Sequence, residues 1–315
     1  AMIQQPQQHI IINPVTENTY MVYKKKNAVL KTDKMMFCGN NDQLRNAVSM
    51  EDSAYENTAQ LVDDGLLRSY KLAVATTGEY AQFHIQQANA ENATLGQQKQ
   101  VVLSAIAVTI NRVNSIYERD FSISLELISN NDDIVYLDEQ NDPYSNFSSG
   151  DLISENQTVV DSVIGFSNYD LGHVFSTGGG GLASLGSVCT LNKAGGVTGQ
   201  ASPVGDPFDI DYVAHELGHQ FGATHTFNNS CNANRTDATA FEPGSGNTIM
   251  AYAGICSPNV QSNSDAVFHV ASVNQVFNFI KQGTGASCAD FTPINNNAPV
   301  INSPVADKTI PYGTP

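Results

Sequence analysis

The stretch His215-Glu216-Leu217-Gly218-His219-Gln220-Phe221-Gly222-Ala223-Thr224-His225 has the residue types and spacing of a metal site. Two histidines four apart on a helix share a face, so the imidazoles of His215 and His219 can reach one ion. Catalytic zinc takes three protein ligands in an open tetrahedron, with nitrogen at about 2.0–2.1 Å, and keeps a fourth position for water. Gly222 lacks a Cβ and can leave the helix through a left-handed conformation, which brings His225 back beneath the ion. Glu216, beside the first ligand, is placed to take a proton from the bound water as it attacks a carbonyl. HExxH alone also occurs in helices that bind nothing. The added glycine and third histidine put three of the seven histidines within this one stretch and make the pattern specific.

These side chains need a helix to hold them. Pro207 suits its first turn, and Phe208, Ile210, Val213, Leu217 and Phe221 follow at helical spacings. Upstream, Tyr70 to Thr76 reads as a strand and Gly78 to Ala90 as a helix. A longer helix is expected over about Gly96 to Glu118, with Val102, Ile106, Val113 and Ile116 on its apolar face. Phe121 to Ile128 alternates as a strand, Gln157 to Ile164 reads as a helix, and Leu171 to Phe175 as another strand. The four-glycine run 178–181 has neither a Walker lysine nor a following helix, so it is no phosphate cradle. Gly181-Leu182-Ala183-Ser184 reads either as a sheet edge on which an extended peptide can lie or as a flexible hairpin. Ser272, with Val273, Val276, Phe277 and Ile280, starts a last helix that ends near Gly283. His9, His84, His173 and His269 lack ligand spacing and read as surface or core residues.

The 315 residues can bury a substantial core, and the formal charge of −16 argues against nucleic acid or an anionic membrane as partner. The richest apolar run, Val101 to Ile110, is too short to span a bilayer. No secretory leader opens the chain, which reads as starting inside a longer protein. Of the five cysteines, Cys189, Cys231, Cys256 and Cys288 fall in the latter half, where two disulfides fit an extracellular compartment. Three connectivities are open; Cys231–Cys256 and Cys189–Cys288 are favoured. Sequons at Asn92, Asn146, Asn156, Asn228 and Asn234 matter only in a glycosylating host. Residues 3–35 suggest short strands, 41–68 an acidic connector with a processing site near Leu67-Arg68-Ser69, and 295–311 a linker leading into the first strand of a β-sandwich.

With the histidine motif and Met250 together, the chain resembles the metzincin metalloproteases. Residues 69–288 look most like a bacterial reprolysin (adamalysin)-like peptidase, through Tyr70-Lys71-Leu72-Ala73, Thr77-Gly78-Glu79-Tyr80, Asn111 to Glu118 and Gly178 to Cys189. The resemblance implies an α+β, zincin-like domain: a mixed twisted sheet, a long active-site helix, a methionine turn at Met250 and a small C-terminal subdomain. It also implies an outer strand, Gly181 to Ser184, that pairs with the substrate. Two departures stand out. Reprolysins usually carry Asp after the third histidine where this chain has Thr226, and Met250-Ala251-Tyr252 is similar to the turn of astacins and serralysins, whose tyrosine stabilises the oxyanion. Tyr252 is therefore read either as an oxyanion donor or as a pocket wall. Lys34 to Gly39 resembles a propeptide cysteine switch, with Cys38 on the zinc in the latent form.

The expected organisation is a propeptide end with connector over 1–68, a catalytic domain over 69–288, and a linker with an incomplete Ig-like domain over 289–315. The expected function is a secreted, monomeric zinc endopeptidase. Its partners are polypeptide substrates and its own propeptide as an intramolecular inhibitor, with Ca2+ a second candidate ion. The alternatives are an adhesion module with structural zinc, which would have no need of Glu216, and a pappalysin-like metzincin, suggested by Thr226-Phe227.

Overall fold

The computed structural model describes residues 64–178 and 180–295, and before them three strands at 2–5, 8–16 and 19–24. Those strands, β1 (Met2–Gln5), β2 (Gln8–Thr16) and β3 (Thr19–Lys24), form an antiparallel sheet with Met2 opposite Ile11 and Ile12 opposite Val22. Cys38, the connector over 41–63 and the segment 296–315 lie outside the described residues.

The main sheet grows from β4 (Leu66–Thr76). Tyr70, Leu72 and Val74 point into one core, and Ala73 and Ala75 into another. That alternation is what a strand buried on both faces requires. Thr77 ends the strand and caps α1 (Gly78–Gln87), its hydroxyl accepting from Tyr80 N–H. A capping box of Thr94 and Gln97 opens α2 (Leu95–Phe121), which returns the chain to β5 (Ile123–Leu127), parallel to β4. α3 (Ser149–Val160) covers the second core with Leu152 and Val160. Then β6 (Leu171–Ser176), β7 (Gly181–Ala183) and β8 (Gly196–Gly199) extend the sheet in the order β5-β4-β6-β8-β7, with β7 antiparallel at the edge. Of the two expectations for residues 181–184, the edge strand is the one observed; Ser184 lies just beyond it, its N–H donating to Gly195 O at 2.7 Å.

Four boundaries differ from the sequence-based expectation. The helix expected from Gln157 begins at Ser149, because the Ser148 hydroxyl caps it by accepting from Asp151 N–H. The last helix, α6 (Val270–Lys281), starts ahead of Ser272: the His269 side chain accepts from Ala271 N–H, and Ser272 is buried inside the helix. A ninth strand, β9 (Asp290–Pro293), pairs antiparallel with β4 from Leu66↔Pro293 to Ser69↔Asp290. The main sheet thus reaches beyond both expected boundaries, 68/69 and 288/289. Arg68 lies inside β4, paired to β5 at Ile123 and to β9 at Phe291, with its side chain 3 % exposed and bonded to Asp64. The stretch expected to be processed, Leu67-Arg68-Ser69, thus lies in a strand paired on both sides. Both favoured disulfides, Cys189–Cys288 and Cys231–Cys256, are formed.

Candidate active site

The metal helix is built in three pieces: α4 (Asp206–Phe208), a π-helical turn Asp209–Ala214, and α5 (His215–Gln220). Phe208, Ile210, Val213, Leu217 and Phe221 are all buried, as their spacing implies. The wider π turn changes the phase of the helix just before His215. α2 grips this rod at three places. Arg112 clasps Asp206 through two bonds of 2.8 and 2.9 Å. Thr109 donates to Asp209 at 2.8 Å, and the Tyr117 hydroxyl donates to Ala214 O at 2.9 Å, one residue before His215. Burial pushes the Asp209 carboxyl up to about 7, with the Asp206 charge adding to the shift and Thr109 and Arg112 opposing it.

The three histidines converge. His219 Nε2 lies 3.1 Å from both His215 Nε2 and His225 Nε2, and all three rings are buried. Gly222 makes the turn with φ +89°, in the left-handed region that its spacing implied. Each Nδ1 lies 2.7 Å from a backbone carbonyl: Ile249 O for His215, Ala223 O for His219 and Asn234 O for His225. A carbonyl only accepts, so each Nδ1 carries the proton and each Nε2 presents a lone pair. Lone pairs facing one another at that distance repel unless a cation lies between them. Tetrahedral zinc with nitrogens at about 2.0–2.1 Å sets them roughly 3.3 Å apart, so the donor set fits zinc. Among the described residues, this trio is the one group of His, Cys, Asp or Glu placed to hold a metal ion.

Glu216 is fully buried next to His215. A Cβ built on Gly181 would overlap its carboxylate, so the edge strand β7 passes directly across it and any side chain there would displace the acid. Met250 is buried, and its carbonyl accepts the N–H of Thr226, adjacent to His225, at 3.1 Å. The Tyr252 ring lies 4.7 Å from His225, 5.9 Å from His215 and 4.4 Å from Phe227, centroid to centroid. It also lines a pocket beside His215 and Glu216 whose other walls include Asp211, Tyr212, Ala253 and Ile255.

Sequence reasoning missed Glu242, which binds Thr226, Asn247 and Thr248 around the histidine cage. Burial pushes its carboxyl up, but these hydrogen bonds outweigh it and hold the group below the usual range. Thr226, where the resemblance leads one to expect Asp, thus hands its hydroxyl to an acid from another loop. His173 is a core residue, as expected, bonded to Gln220 at 2.9 Å and Thr198 at 2.8 Å. Burial pushes both His173 and His84 down to about 4.

Three histidines from one turned helix, beneath a mixed sheet whose edge strand crosses the neighbouring acid, define the catalytic domain of a metzincin-type zinc metallopeptidase. The profile of the metallo-peptidase family M12B, reprolysin-like, matches residues 67–278. The chain belongs to that family and is a zinc metalloendopeptidase. No curated protein matches it.

Proposed function

We propose that this chain is a secreted endopeptidase in which Glu216 is general base and then general acid, produced as a latent precursor with Cys38 as fourth zinc ligand. The observation that carries the reading is the convergence of the His215, His219 and His225 Nε2 atoms beside the buried Glu216 carboxylate. Zinc held there supplies the Lewis acidity that makes water nucleophilic near neutral pH and polarises the scissile carbonyl. Glu216 holds the proton removed from the attacking water and returns it to the leaving amide nitrogen. β7 offers a sheet edge to which the substrate backbone adds as a further strand. The Tyr252 phenol donates to the charge that develops on the carbonyl oxygen. The two disulfides support an oxidising, extracellular setting.

The direct test is cleavage of a denatured protein by the full chain freed of its switch as Cys38→Ala, stopped by a chelator and restored by zinc, with cut sites mapped by mass spectrometry and the substitutions below made in that background. Glu216→Gln should keep zinc and lose activity by about 10²-fold or more, since general acid–base catalysis supplies that much; undiminished cleavage removes Glu216 from the mechanism. Tyr252→Phe should lower kcat by roughly 10²-fold with little change in KM, and an unchanged kcat leaves Tyr252 as a pocket wall. Cys38→Ala should activate the uncut chain; a variant as inactive as its parent disposes of the switch.

A further inference from the structure

Glu242 touches both halves of the histidine cage and is 5 % exposed. Its Oε1 accepts the hydroxyls of Thr226, at 2.6 Å, and of Thr248. Its Oε2 accepts the N–H groups of Asn247 at 2.7 Å and Thr248 at 3.0 Å. Its backbone joins in, donating N–H to Thr226 O at 2.8 Å and accepting Asn228 N–H at 2.9 Å. One set of bonds holds the residue that follows His225. The other holds the residues that lead into Ile249, whose carbonyl orients His215 through Nδ1 at 2.7 Å, and Met250, whose carbonyl returns to Thr226 N–H. An ionised carboxylate accepts from all four donors at once; an amide of the same shape accepts the two N–H groups through its oxygen but must donate to the two hydroxyls, which reverses those bonds and replaces two charge-assisted bonds by neutral ones.

We propose that Glu242 is a positioning residue for the metal cage: its carboxylate clamps the turn 247–250 to Thr226, fixing the carbonyl that aims His215 and the backbone that carries His225. The clamp rests on the reading of the three histidines as zinc ligands. Loss of outer partners that orient metal ligands lowers metal affinity or activity by about 10- to 100-fold. A plain loop staple would instead lower the melting temperature of the metal-free protein and leave the zinc affinity of folded molecules unchanged.

The test strips the full chain of metal and titrates zinc back against a chromophoric chelator, in parent and Glu242→Gln. The zinc Kd should rise about 10- to 100-fold, and in the zinc-saturated variant, read in the Cys38→Ala background, kcat should fall more than KM rises. A folded variant whose Kd stays within about twofold of the parent overturns the clamp, since a real one moves it at least tenfold. Should Glu242→Gln not fold, Thr226→Val removes a single donor and should raise Kd by roughly three- to tenfold; no rise there overturns the proposal as well. A parent that takes up no zinc overturns the metal reading and the clamp together. A parent that binds zinc, depends on Glu242 for it and still cuts no polypeptide once Cys38 is replaced by Ala upholds the clamp and defeats the peptidase reading alone.

Discussion

At the scale of single residues, Gly181 is where the substrate edge and the catalytic acid meet. A methyl added there runs into the far end of Glu216 rather than into backbone, so the strand can stay while the carboxylate is displaced. A shift of about 1 Å at a reacting group can cost roughly 10²-fold in rate. Gly181→Ala should therefore lower kcat by about 10- to 100-fold with zinc affinity intact, read from peptide cleavage and zinc titration side by side. A variant with parental kcat would show that the contact does not position the acid. The ligands and Glu216 were legible because their geometry is local: one helix turn, one glycine, one return. Glu242 was not, because two of its four donors are backbone N–H groups, which leave no mark on the residue types around it.

At the scale of elements, helical periodicity found α2 and the metal helix, but not what joins them. Asn111 to Glu118 carried part of the family resemblance, and the structure gives Arg112 and Tyr117 a physical task there: with Thr109 they fasten the metal helix at Asp206, Asp209 and Ala214. The π turn was invisible because Phe208, Ile210 and Val213 suit an α-helical pattern equally well. α3 was placed too late because its first turn holds Ser149, Gly150 and Asp151, which read as loop. His269 gained its role only through a cap, which depends on a side-chain rotamer rather than on spacing.

At the scale of the whole molecule, buried ionisable groups set two opposed responses to pH. His84 and His173 titrate near 4 in the folded state against about 6.5 when exposed, so the unfolded chain binds protons more readily there. Their contribution is full above about pH 6.5 and is lost as pH falls towards 4. Asp209, raised to about 7, behaves oppositely: the folded state binds the proton more tightly, and its contribution is full below about pH 4 and lost as pH rises through 7. Asp209→Asn is neutral at every pH and can still accept from Thr109. Its stability relative to the parent, followed by thermal melting, should therefore climb between pH 5 and pH 8, by less than the about 4 kcal/mol that a shift of roughly three units allows at 1.36 kcal/mol per unit. A difference that stays level across that range removes Asp209 from the account. The sheet itself was only partly legible. β4, β5 and β6 announce themselves by apolar content, whereas Asp290-Phe291-Thr292-Pro293 is too short and too exposed to be recognised without its partner.

The pairing of β9 with the first residues of β4 also determines how the domain bears tension. Leu66 stands opposite Pro293, so the two flanking segments leave from the same end of one short antiparallel ladder. A pull between them would peel that ladder open like a zipper, one rung after another, until it met Cys288, where the covalent tie to Cys189 takes the strain. Handling by a moving substrate or a tethered neighbour would fray this seam first and leave the histidine cage undisturbed behind it.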